Sequence, residues 1–107
     1  MNFGHHLAWF FGGAFLMNAV PHVVAGSLGR QFQSPFATPR GEGLSSSTVN
    51  MLWGFCNLVV AWVLLARSGS FDPRVWDHAL AAVAGGLLMG LFHARHFGRF
   101  HGGNSPR

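Results

Sequence analysis

Seven histidines stand among only three carboxylates in this 107-residue chain. His93 and His96 are one helical turn apart, so both rings share a face. Imidazole is the commonest biological metal ligand. His22, at the end of an apolar run, is a candidate third ligand or opposite axial ligand. A transition metal or a haem held by His22, His93 and His96 is one chemistry the chain suggests, with Met89 as a substitute ligand. The motif is incomplete: there is no HExxH, no CxxCH and no carboxylate beside the pair. The plainer reading places His93 and His96 at a membrane interface beside Arg95 and Arg99, extending toward headgroups.

The other polar groups offer less. His5, His6, Asp77 and His78 form a second group, with Asp77 suited to a helix N-terminus. A proton relay needs titratable groups through the whole depth of a membrane. Between the two groups lie only Asn18, Asn57 and Cys56, so a pump is disfavoured. The single cysteine permits no internal disulfide and reads as a small buried hydrophobe. Catalysis at an interface would need Glu42 to join the histidines, or a nucleophile from Ser45, Ser46 and Ser47. No GxSxG elbow is present, and a non-catalytic protein is the stronger expectation.

The elements that must position these groups are membrane helices. Half of the residues are hydrophobic and 9% are charged, against about 25% charged in soluble domains. Residues 3–28, 48–66 and 74–97 are each long and apolar enough to cross a bilayer, which takes about 20 residues. The first run lacks Lys and Arg ahead of it and is long for a signal peptide, so it reads as a span. Pro21 interrupts its hydrogen bonding between Asn18 and His22. The fold expected is all-α: an integral membrane bundle of three transmembrane helices in one domain.

Residues 29–47 form the one long loop, with Pro35, Pro39 and a serine run excluding a continuous helix. Phe32 and Phe36 are expected to dip into the interface or pack over the bundle end. Ser46, Ser47 or Thr48 can cap the second helix. Asp72 followed by Pro73 reads as the start of the third. The short turn at 67–73 makes helices two and three antiparallel neighbours. Residues 98–107 read as a frayed, flexible tail.

Each span carries a stripe of small and polar residues. On the first it is Gly4, Phe11, Asn18, His22 and Ala25. On the second it is Asn50, Gly54, Asn57 and Ala61. On the third it is His78, Ala82, Gly85, Met89 and His96. Stripes of this kind turn inward, with the second helix as the central wall. Asn18, His22, Asn50, Asn57, His93 and His96 are expected to line a ligand-binding crevice, with the loop as its lid.

All seven cationic side chains are arginines, set at the ends of apolar segments rather than in a dense run, which disfavours nucleic acid. Arg30, Arg40, Arg95, Arg99 and Arg107 fall on the loop side. The positive-inside rule then puts the C-terminus in the cytoplasm and the N-terminus outside. Trp9, Trp62 and Trp76 would form the outer aromatic belt, with Trp53 at the inner face. The functional expectation is a small protein of a bacterial inner membrane that binds a ligand or partner, as a homo-oligomer or as a subunit of a larger complex. The rivals are a haem or metal protein, an oligomeric channel or small-solute transporter, and an interfacial lipid-modifying enzyme.

Overall fold

A computed structural model describes residues 2–104. Three helices carry the fold: α1 (Phe3–Ser27), α2 (Ser47–Ala66) and α3 (Trp76–His96). All three are long and apolar enough to cross a membrane. At 1.5 Å per residue the shortest, the 20-residue α2, spans about 30 Å, the thickness of a bilayer's hydrocarbon core. The bundle therefore has the expected all-α, three-span form.

α1, not α2, is the central helix. It packs on α2 along one side and on α3 along another, while α2 and α3 scarcely touch. The expected pairing of the second and third helices is thus corrected. Their connection is short, but the two opposed stripes lie on α1, and each neighbour goes to its own stripe. Asn18 meets Asn57 of α2 and His93 of α3. A Cβ added to Gly13 would overlap the Ala82 carbonyl, and one added to Gly85 would overlap the Phe10 carbonyl. Glycine is required there because the α1 and α3 backbones touch.

The four buried residues of α2 are Asn50, Gly54, Asn57 and Ala61, the stripe read from its sequence. The α1 stripe is only half right. His22 and Ala25 are buried, but Gly4 and Phe11 are exposed, and Trp9, Gly12, Gly13, Ala14 and Ala19 are buried instead. With neighbours on two sides, α1 buries a band wider than one stripe. Outward, Leu16, Leu52, Val59, Leu80, Leu87 and Leu91 are exposed. Such a belt is costly in water and at home in lipid. Cys56 belongs to this outer surface; its expected burial fails because it points away from α1.

The 29–47 segment is a folded cap. A short antiparallel pair, β1 (Phe32–Gln33) with β2 (Leu44–Ser45), brings its two limbs together. Ser46 caps α2, its side chain accepting from the Val49 N–H. α3 starts at Trp76 with no side-chain cap. Asp72 instead accepts from the Arg74 N–H and closes the turn before the helix, because Pro73 and Arg74 are spent on that turn. The tail also differs from expectation. Gly98–His101 forms a fourth short helix, α4, with Phe97 and His101 both against the Phe32 ring. Residues 105–107 lie outside the described residues.

Candidate functional site

The polar residues of the three spans converge at the loop end of the bundle, where they form two hydrogen-bonded chains. The deeper chain joins all three helices. His93 donates from Nε2 to Asn18 Oδ1 at 2.8 Å. Asn18 donates to Asn57 Oδ1 at 2.9 Å, and Asn57 donates to the Trp53 carbonyl at 2.9 Å. An amide oxygen can only accept, so the bond fixes the proton on Nε2 of His93.

The second chain fastens the cap. His22, 2% exposed, donates from Nδ1 to Asn50 Oδ1 at 2.7 Å. The Asn50 amide nitrogen then reaches three carbonyls: Phe32 at 3.2 Å, Ser45 at 3.1 Å and Ser46 at 3.0 Å. Asn50 is fully buried, and its side chain satisfies backbone acceptors from both limbs of the cap. Without it those carbonyls would be buried with one partner fewer, a penalty of about 1–3 kcal/mol for each group left bare. Aromatic rings close around His22: Phe32, Trp53 and Phe97 each present or receive an edge.

α3 and α4 add two further ties. His96 donates from Nε2 to the Gly41 carbonyl at 2.6 Å and accepts on Nδ1 from Arg99. His101 donates from Nε2 to Gln33 Oε1 at 2.7 Å. Gln33 and Ser34 are buried, and Ser34 is bonded to Ser45 across the cap. The one buried side-chain polar atom without a partner among the described residues is the indole nitrogen of Trp53.

The six residues proposed from sequence are therefore brought to one region, five of them in the two hydrogen-bonded chains and His96 in a separate tie to Gly41. The grooves beside Pro21, at Pro35 and Phe36, along Leu16 and Val20, and along Phe10 and Phe11 are lined by other residues. His22, His93 and His96 do not converge as ligands. Each points a nitrogen at a different acceptor, and among the described residues no three His, Cys, Asp or Glu side chains assemble around a common point. Met89 instead lines an apolar groove between α1 and α3. Glu42 is exposed and makes no hydrogen bond or ion pair with a histidine among the described residues.

The opposite end has its own cluster. His6 bonds the Asn2 carbonyl through Nδ1 and Asp77 through Nε2, both within 2.8 Å. Trp9 is buried at 3% exposure and donates to the Ser68 carbonyl. It leaves the expected aromatic belt because His78 and Phe71 pack on its ring. Trp62 and Trp76 remain exposed. Asp72, in the turn, is held below the usual carboxylate range by the Arg74 N–H, and then by the Arg74 side chain.

Sequence reasoning missed Gln33, Ser34 and His101. Nothing in a loop or a glycine-rich tail marks such residues as buried or bonded, since their partners are nearly 70 positions away for His101 and Gln33. The fold and this site define a three-span membrane bundle with a capped end. Comparison of the chain with protein-family models, with curated proteins and with solved structures finds no match.

Proposed function

We propose that this is a non-catalytic binding protein of the membrane, a rigid three-helix frame that presents the folded cap of residues 29–46 to a partner subunit. The supporting observation is how the cap is held. α1 and α2 are antiparallel neighbours, and helix pairs of that kind are usually joined by about 2–8 residues. Here the connection is much longer, and α2, α3 and α4 each commit a side chain to it: the buried Asn50, the half-buried His96 and the exposed His101. α1 contributes through His22. A mere connector needs none of these ties.

The outer surface of the cap carries Arg30, Phe36, Arg40 and Glu42, all exposed. With Arg95 and Arg99 it forms a cationic collar, whereas Arg67 and Arg74 at the other end are balanced by Asp72 and Asp77. By the positive-inside rule the cap faces the cytoplasm and the N-terminus lies outside, in a bacterial inner membrane. The internal use of every polar stripe speaks against an oligomeric pore, which needs such stripes around a shared axis.

Photo-crosslinkers placed at Phe36 and Arg40 in native membranes test the reading. A discrete protein adduct from these positions, lost when Asn50→Ala loosens the cap, is the expected result. Adducts confined to lipid-facing positions such as Leu87 would overturn it.

A further inference from the structure

A groove beside the cap joins two surfaces of opposite character. Its wall is the last two turns of α1 with the C-cap, Pro21, Val24, Ala25 and Leu28, with Val24 and Leu28 exposed on the lipid side. Its rim is Arg30, Gln31, Phe32 and His101, and the whole encloses about 240 Å³. The turn that ends α1 creates this join. Gly29 has φ of +69°, and the Arg30 N–H returns to the Ala25 carbonyl at 2.9 Å. This glycine-dependent helix stop folds the chain back on the last turn. Arg30 is thereby set at the head of an apolar trough that opens toward lipid.

The tail completes the groove. His101 stacks on Phe32 with centroids 5.0 Å apart and is pinned by Gln33. Arg30 has no acidic partner among the described residues, and the nearest-sequence acid, Glu42, makes no ion pair with it. An apolar trough ending at an unpaired guanidinium fits one kind of occupant: an acyl chain joined to an anionic headgroup. Arginine matches phosphate oxygens with a planar pair of donors.

We propose that this groove is a binding site for one anionic phospholipid, with the phosphate at Arg30 and an acyl chain along Val24 and Leu28. The site borders the cap and shares Arg30 with its outer surface, but lipid retention reads it, whereas protein adducts at Phe36 and Arg40 read the partner surface. It differs from the general attraction of a basic collar for an acidic leaflet, which any arginine supplies.

The test uses the full chain in mild detergent, with native mass spectrometry after adding dioleoyl phosphatidylglycerol or dioleoyl phosphatidylcholine. One equivalent of the anionic lipid is expected to be retained in preference to the zwitterionic one. Arg30→Gln should weaken retention about fivefold, the effect of one arginine near anionic lipid. Val24→Trp, at a half-exposed position, fills the trough and should weaken it as much with every charge kept. Arg95→Gln, exposed and outside the groove, should change it little. Equal losses from Arg30→Gln and Arg95→Gln would reduce the effect to a diffuse collar and overturn the site. Displacement of the lipid by inorganic phosphate, with Val24→Trp silent, would also overturn it in favour of a free oxyanion. Unchanged circular dichroism of each variant separates loss of the site from loss of the fold.

Discussion

Toward α2, α1 offers Asn18 and His22, and each receives an asparagine in return. Toward α3 it offers bare backbone, with Gly13 against Ala82 and Phe10 against Gly85. The first flank combines directed polar bonds with close approach at Gly26 and Gly54, and the second relies chiefly on a still tighter approach of backbones. His93 adds a single deep polar bond to the second flank, through the same Asn18. The difference teaches where tolerance lies. A polar bond in a membrane is worth about 0.6–2 kcal/mol, because the separated helices also find partners. A backbone contact leaves no room at all for a side chain.

The largest effect should therefore come from Gly85→Leu. The new side chain meets the Phe10 carbonyl, and α3 must move off α1 at a cost of about 3 kcal/mol or more. Loss of the three-helix form, read as protease cutting of the 67–75 turn, checks it. Asn50→Ala should come next, at about 2–4 kcal/mol, since it strips His22 and the cap carbonyls together. Its signature is hydrogen exchange at residues 32–45 with α3 still protected. Asn18→Ala should cost about 1–2 kcal/mol and loosen both flanks at once. If Asn18→Ala proved costlier than Gly85→Leu in unfolding titrations, the contrast between the flanks would collapse.

The smallest effect concerns the turn end. Asp72 has a lowered pKa in the fold, so its bonds to Arg74 add stability above the ordinary carboxylate pKa. That contribution fades as pH falls through the lowered value. The pH dependence of the unfolding midpoint in that acid range should flatten slightly in Asp72→Asn. Because the carboxylate is exposed, a large change there would show that the turn does more than join two helices.

The spans were legible because their physics is local. A run such as Thr48 to Ala66 needs no tertiary information to be read as a membrane helix, and its Asn50, Gly54, Asn57, Ala61 stripe follows from 3.6 residues per turn. What could not be read was which helix each stripe meets. Three inward faces permit a closed ring or a row, and the choice of α1 as the middle rests on Gly13 and Gly85 fitting the opposing backbones. The histidines show the same limit. Spacing put His93 and His96 on one side of α3, but their acceptors, Asn18 and Gly41, come from elsewhere in the chain. His101 was read as part of a loose tail because its partner, Gln33, sits in a loop with no periodic pattern at all.

The central position of α1 has a consequence for how the chain is made. Of these three spans the hub leaves the ribosome first, so α2 and α3 each meet a finished surface on arrival. α2 needs nothing from α3 to dock, and α3 needs little from α2. Synthesis order and spatial order coincide, and no span must wait unpaired for a later one except α1 itself. The molecule should accordingly tolerate being expressed as two pieces divided between α2 and α3, with the second piece finding the first in the bilayer. A division between α1 and α2 should fail to give a capped end, since both limbs of the cap would then belong to different chains.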